Sequence, residues 1–183
     1  MLATSSATKC SRNANNRKST VSNRKVKFPD RIYTSEEIGL AQSLIERGHK
    51  HRLRVLGGGL FREKAAKALR LIKTARYYDF LRTYIRRIVE VDGFSQLREV
   101  DLEIWANIYT VENAVEGASF LVQKAWQMKM YLEGKRHYDN IGEKDAVEKR
   151  QEFLKALAER SRDSCIKEEC EKRLRLWDES KFL

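Results

Sequence analysis

The sequence has few of the residues that interrupt helices or cross-link chains. It contains one proline, nine glycines and three cysteines among 183 residues. So few turn-forming residues argue against a β-sandwich, which needs a turn about every ten residues. Three cysteines cannot form a disulfide framework, and they are typical of the cytosol, the nucleus or an organelle matrix. Long apolar runs are missing as well, so we expect neither a secretory signal nor a membrane span.

Charge and apolar residues are both abundant. Hydrophobic residues make up 42% of the chain and charged residues 34%, with 37 Lys+Arg against 26 Asp+Glu and a net charge of +11. This composition predicts a folded, basic protein. Because turn-forming residues are few, we expect an all-α fold, a bundle of five or six helices.

The N-terminal residues differ in composition from the rest. Residues 1–28 carry four lysines, three arginines and no acid, which is +7 of the net charge. Such a segment cannot bury enough apolar surface to fold alone, so we expect residues 1–29 to form a disordered tail and residues 30–183 a single helical domain. Three interpretations of the tail stay open: an arm that binds nucleic-acid phosphates, an organellar transit peptide, or a solvated extension. For the arm, the candidate phosphate contacts are Arg17, Lys18, Arg24, Lys25 and Lys27.

Local signals predict most of the helices. Thr34-Ser35-Glu36-Glu37 has the spacing of a capping box, which predicts a helix over about 34–47. Two apolar faces follow at helical spacing but differ in direction by about half a turn, so we expect a break near 74–76. A short link near residue 162 predicts an antiparallel hairpin at the C-terminus. The helices predicted from these patterns are 60–75, 77–91, 143–160 and 164–178.

The longest periodic pattern lies in the middle of the chain. Apolar residues recur every three or four positions from Leu97 to Ala125, which predicts one long central helix over about 96–132. An alternative is a β-hairpin at 88–104, since Val100, Leu102 and Ile104 alternate with polar residues after a turn-forming Asp92-Gly93. The helix explains more positions and is our prediction. Its stripe could be an internal core or the seam of a homodimer.

A basic cluster provides the candidate site. Residues 47–90 contain 13 lysines and arginines against three acids, and arginine, whose planar fork suits phosphate, is the more frequent. The following segment, 90–116, has seven acids and one base. The basic face could therefore bind phosphates or pair with this acidic segment, and the sequence leaves both open. The candidate nucleic-acid contacts are Lys50, Arg52, Arg54, Arg62, Lys67, Arg70, Lys73 and Arg76.

Metal and nucleotide motifs are not found. The residues Gly57-Gly58-Gly59 are contiguous, unlike the spaced glycines of phosphate-binding loops, and indicate a simple connection. His49 and His51 are two residues apart but belong to no metal-binding motif. Cys165 and Cys170 are too far apart on a helix to chelate one ion. We therefore expect no metal and no cofactor.

Catalytic motifs are not found either. Glu112 and Glu116 are spaced so that they could bind a divalent ion or raise a carboxyl pKa, but such pairs more often form a solvated face. We therefore expect a non-enzymatic protein that binds RNA or DNA through backbone phosphates, in a ribonucleoprotein or chromatin-like assembly. The alternative is a helical protein–protein adaptor, with the tail as a spacer or targeting segment.

Overall fold

A computed structural model describes residues 26–180, and the side chains of 178–180 lie outside that description. The tail candidates Arg17, Lys18, Arg24 and Lys25 therefore fall outside the described residues. Within them are six α-helices and four β-strands: α1 (Ser35–Glu46), β1 (Arg54–Leu56), α2 (Gly59–Thr74), α3 (Tyr78–Tyr84), β2 (Arg87–Glu90), β3 (Gln96–Arg98), β4 (Glu103–Ala106), α4 (Ala114–Leu132), α5 (Asn140–Arg160) and α6 (Ser164–Ser180). The protein is mostly helical, as predicted, but the all-α assignment is wrong because a small sheet is present.

The four strands form one mixed sheet in the order β1-β2-β4-β3. Strands β1, β2 and β4 are parallel, whereas β3 runs antiparallel to β4. Paired residues in neighbouring strands share a face of the sheet. The inner row is Val55, Ile88, Ile104 and Leu97, and the outer row is Arg54, Arg87, Glu103 and Arg98. Since Ile88, Ile104 and Leu97 are buried, the inner face covers the core.

Helix α4 is the centre of the fold. Asn113 caps it by accepting from the amides of Val115 and Glu116. Its apolar stripe, including Leu121 and Met128, is fully buried, mainly against α2, α3 and α5. A central helix is therefore present, but it begins at Ala114, not near 96.

The first half of the predicted long helix has a different structure. Residues 96–106 form the β3–β4 hairpin around a 3-10 turn at Glu99–Asp101, and a second 3-10 turn spans Ile108–Val111. Leu102 adopts a left-handed conformation with φ of 53°, which no continuous helix allows. The hairpin alternative is closer to the structure than the helix, although its strands lie at 96–106 and not at 88–104.

The other local predictions agree more closely with the structure. The Glu37 amide donates to Thr34 Oγ1 at 3.2 Å, and Glu37 Oε2 accepts from the Thr34 amide at 2.8 Å, so the capping box of α1 is present. The break after α2 occurs at Arg76, whose φ is 65°. The predicted helix over 77–91 is wrong in its second half, because α3 ends at Tyr84 and β2 follows. Helices α5 and α6 form the predicted hairpin.

Candidate nucleic-acid interface

The acidic segment pairs with few residues of the basic cluster. Only two of the 13 cluster bases bind it: Lys64 pairs with Glu112, and Arg87 pairs with Glu103 across β2 and β4. The other partners of the segment are Arg31 for Asp101, His137 for Glu99, and both Arg150 and Arg173 for Glu116. Three of the seven acids therefore pair with bases outside the cluster, and two pair with bases of the cluster.

The exposed side of α2 carries basic residues, as the helical spacing of its apolar residues predicts. Arg62 and Arg70 are exposed and form no ion pair with any described residue. Lys67 is exposed but binds Glu63 one turn away at 2.9 Å. Lys73 lies over the ring of Tyr78, 4.6 Å from its centroid. We call Arg62, Lys67, Arg70 and Lys73 the α2 ridge.

A groove of about 850 Å³ runs along β1, which is at an edge of the sheet. We call it the edge groove. Its walls contain five cationic side chains and one carboxylate, that of Asp30. The five cations are Lys27, Lys50, Arg52, Arg54 and Arg86. Arg52 and Arg54 are exposed and have no carboxylate partner among the described residues.

The edge of β1 that faces the groove has no strand beside it. The Arg54 amide donates to the Arg86 carbonyl at 3.1 Å, on the side of β2. Because backbone groups alternate in direction along a strand, the N–H and C=O of Val55 point away from β2. Within residues 26–180 no other strand pairs with this edge.

Arg86 holds one wall of the groove in place. Its guanidinium donates to the carbonyls of Pro29 and Asp30, the latter at 2.8 Å, and lies 5.8 Å from the Phe28 ring centroid. Phe28 is 7% exposed, and Lys27 pairs with Asp30 at 2.9 Å. Phe28 and Pro29, which the sequence assigns to the tail, therefore contact the helical body.

Three aromatic rings contact one another in the groove wall. Phe28 stacks on His49 with centroids 4.7 Å apart, and His51 packs edge-on against both. Burial lowers the pKa of both histidines, and it lowers that of His51 to about 3, with Arg86 adding to the effect. Both rings are therefore neutral at pH 7, so the charge of the groove comes from its lysines and arginines. The buried His51 Nε2 has no hydrogen-bond partner among the described residues.

A chain of contacts connects the edge groove to the C-terminal end of the α2 ridge. Lys50, in the groove, binds Asp79 at 2.5 Å, and Asp79 also binds Arg82 at 2.9 Å. Arg82 and Lys73 both lie over the ring of Tyr78. Exposed Arg76 is in the link beside this group. Arg62 and Lys67 lie about 16 Å and 9 Å further along the α2 axis from Lys73.

The glycine turn between β1 and α2 holds a carboxylate. The Gly58 amide donates to Glu90 Oε2 at 2.6 Å, so Glu90 accepts at the N-terminus of α2. Gly57 has φ of 152°, and a Cβ there would lie 2.6 Å from the Glu90 Cβ. These glycines serve a tight turn and the close approach of Glu90.

The remaining chemical candidates are not assembled into a site. Within the described residues, no three His, Cys, Asp or Glu side chains are placed to hold a metal ion. Glu112 and Glu116, spaced as a carboxylate pair, bind separate cations. Cys165 is exposed and Cys170 buried, and burial raises the pKa of the Cys170 thiol to about 11. Among the helices of residues 26–180, none is sufficiently long and apolar to cross a membrane.

Sequence reasoning missed three contributors to the interface. Arg86, Phe28 and Tyr78 are not among the site residues that the sequence predicts. The only signal for Phe28 was its position next to Pro29, where the charge of the chain changes. The role of Arg86 depends on carbonyls that lie 56 and 57 residues away in the chain.

A function for this protein has to be argued from these residues themselves. No family model matches the chain, and no curated protein or solved structure matches it.

Proposed function

We propose that the protein is a non-enzymatic nucleic-acid-binding protein that contacts backbone phosphates through the edge groove and the α2 ridge. The observation that carries the proposal is that four exposed arginines of the groove and the ridge have no carboxylate partner among the described residues. They are Arg52, Arg54, Arg62 and Arg70. A ribonucleoprotein or chromatin-like assembly is the setting that we propose for it.

Unpaired arginines at the surface suit this role for a physical reason. Guanidinium groups form bidentate hydrogen bonds with phosphate, and they keep their charge at every physiological pH. Each phosphate contact releases counterions and adds about 0.7 to 0.9 to the slope of log affinity against log salt concentration. Binding of this kind tolerates many sequences, because phosphates carry no sequence information.

The basic tail supports the same proposal. Val26, the first described residue, lies in the wall of the edge groove. The described part of the chain therefore begins in the groove wall, and the tail candidates are part of the same proposal. Those candidates are Arg17, Lys18, Arg24 and Lys25.

Three variants with equal changes in charge test the proposal. The interface variant replaces Arg52, Arg54, Arg62 and Arg70 with Ala, and the tail variant replaces Arg17, Lys18, Arg24 and Lys25. The control replaces four exposed bases of the C-terminal hairpin, namely Lys155, Arg162, Lys167 and Lys172. Binding of labelled RNA and duplex DNA is measured at rising salt from about 50 mM.

We expect the interface variant to lose at least about tenfold in affinity and about three units of salt slope, and the control to lose less than about threefold. The tail variant should lie between them. No binding by the wild-type protein at low salt would end the proposal. Equal losses in the interface and control variants would also contradict it, because the net charge alone would then explain binding.

A protein–protein adaptor is the second proposal, and one observation favours it. Phe94 and Tyr109 are 93% and 81% exposed, and their loops are joined by a hydrogen bond between the Ser95 and Thr110 hydroxyls. Exposed aromatic side chains on ordered loops are typical anchors for protein partners. Since the apolar stripe of α4 is buried inside the fold, a homodimer would use exposed residues such as these. Two results together would support the adaptor. The wild-type protein and the interface variant would both self-associate in sedimentation experiments, and the wild-type protein would not bind nucleic acid.

A further inference from the structure

We infer that the edge groove binds a single strand of nucleic acid, with the phosphates on Arg52 and Arg54 and unstacked bases against β1 and His49. The inference rests on the proposed function and narrows it to one class of ligand. Four features of the groove carry it: the spacing of its arginines, the open edge of β1, its aromatic wall and its volume.

The spacing of the arginines follows the geometry of an extended chain. Arg52 and Arg54 are two residues apart in an extended segment, so their side chains emerge on the same side about 7 Å apart. Leu53, between them, is half-buried and turned to the other side. Two regularly spaced cations along a groove suit successive phosphates of a flexible strand that follows the same direction.

The open edge of β1 can read bases only if they are unpaired. Val55 presents its N–H and C=O toward the groove, away from the bond that Arg54 makes with β2. The donors and acceptors of a base along its pairing edge are occupied in a duplex and accessible in a single strand. Backbone groups at this edge can therefore form hydrogen bonds with the bases of a single strand.

The aromatic wall provides a surface on which a base can stack. His49 is half-exposed, and its ring stacks on the buried Phe28 ring with a centroid distance of 4.7 Å. A neutral imidazole held in this way resembles the stacking platforms that bind single strands without sequence preference. His51, only 6% exposed in the same wall, packs edge-on against the His49 ring and helps to hold it in place.

The size of the groove also favours a single strand. A volume of about 850 Å³ is comparable to pockets for small ligands and holds only a few nucleotides. A duplex is a rigid cylinder whose major groove alone is about 12 Å wide, and it contacts convex surfaces such as the α2 ridge more readily than a concave groove. The two parts of the basic surface should therefore differ in their preference for single strands and duplexes.

The test uses the full chain and two pairs of charge substitutions. A fluorescent single strand of twelve nucleotides without self-complementarity and a duplex of the same length are titrated at the same salt concentration. The groove variant is Arg52→Ala with Arg54→Ala, and the matched ridge variant is Arg62→Ala with Arg70→Ala. Thermal melting of each variant verifies that it is folded.

We expect the single strand to bind at least tenfold more tightly than the duplex. The groove variant should lose at least tenfold in affinity for the single strand, and the ridge variant less than threefold. A third variant, His49→Ala, should lose threefold to tenfold with an unchanged salt slope, because stacking involves no ion release.

The outcomes separate this inference from the proposed function. Equal or tighter binding of the duplex, lost mainly in the ridge variant, would overturn the single-strand inference and leave the proposed function in place. Absence of binding to either probe would overturn both. Displacement of the single strand by an equal concentration of poly-glutamate would overturn the inference too, since the groove would then bind acidic peptides.

Discussion

Arginines occupy two contrasting environments in this protein. In the C-terminal hairpin, Arg150 is 8% exposed and donates to Ser119 Oγ at 3.0 Å, to Gln123 and to Glu116. Arg173 binds the other oxygen of Glu116 and also Glu169. At the edge groove and the α2 ridge, by contrast, Arg52, Arg54, Arg62 and Arg70 are exposed and no described carboxylate binds them.

The difference shows which charges the fold itself requires. A guanidinium buried between helices is stable only with a carboxylate and hydrogen-bond acceptors around it, so Glu116 and its partners connect α4 to α5 and α6. An exposed arginine without a partner contributes little to stability. The fold therefore depends little on Arg52, Arg54, Arg62 and Arg70, and these four side chains are available for the proposed phosphate contacts.

The largest effect is expected from removing the shared carboxylate. Glu116→Ala leaves Arg150 and Arg173 partly buried without their common partner, and we expect a loss of about 2 to 4 kcal/mol in the free energy of unfolding. This expected loss of free energy is smaller than the loss for a fully buried ion pair, because the Glu116 side chain is 35% exposed. Urea denaturation measures the loss.

Glu112→Ala is the matched control for this prediction. Glu112 pairs with Lys64 but its side chain is 60% exposed, so its removal should cost less than about 1 kcal/mol. Equal losses in the two variants would mean that the C-terminal arginines are no more dependent on their partners than surface ions are. Nucleic-acid affinity should change little in either variant.

A smaller effect, dependent on pH, is expected from the histidine that the groove keeps neutral. The pKa of His51 is about 3 in the folded protein, against about 6.5 in the unfolded chain. Between these values the unfolded chain binds a proton that the folded protein does not. Stability should therefore decrease as the pH falls below about 6.5, with up to about 1.4 kcal/mol per pH unit from this residue.

The measurement compares the wild-type protein with His51→Asn by urea denaturation between pH 7.5 and 4.5. The carboxylates titrate in both proteins, so their contribution cancels in the difference. We expect the stability advantage of the wild-type protein over the variant to shrink as the pH decreases. An advantage that stays constant with pH would show that His51 is protonated equally in the two states.

The smallest effect is expected from the only acid on the exposed side of α2. Glu63→Gln releases Lys67 from its pair and removes a negative charge from the α2 ridge. The stability should change by less than about 0.5 kcal/mol, and nucleic-acid affinity should rise by about twofold to threefold. Glu159→Gln, at an exposed glutamate beside Arg160, is the control and should leave affinity unchanged. A decrease in affinity for Glu63→Gln would argue against the ridge as a phosphate contact.

Local signals in the sequence were sufficient for part of this fold. The capping box of α1, the buried face of α2 and the C-terminal hairpin depend on residues within a few turns of one another. Such interactions leave a periodic pattern or a cap that can be recognised without knowledge of the tertiary structure. The exposure of Arg62 and Arg70 follows from the same periodicity.

The sheet could not be predicted in the same way. Its strands are three or four residues long, and three of them pair in parallel with partners that are distant in sequence. The apolar spacing around Leu97 and Ile104 fits a helix by coincidence, whereas in the structure these residues pair across the β3–β4 hairpin. The cap at Asn113 was the missed signal, because it marks where α4 begins.

The candidate site was predictable in its charges but not in its shape. The exposed bases at 52, 54, 62 and 70 were all named from the sequence. The edge groove exists because Arg86 holds the backbone at Pro29 and Asp30, and because β1 is at the edge of the sheet. Both facts depend on long-range contacts that a single sequence does not show.

The way in which the N-terminal segment is anchored constrains how the protein can fold during synthesis. The Ile32 amide donates to the Val100 carbonyl, and the Ile32 carbonyl accepts from the Tyr131 hydroxyl, 99 residues further along the chain. Contacts of such separation form late, after the intervening chain has left the ribosome. The segment that leads from the basic tail into the groove wall therefore reaches its final position only when α4 is complete.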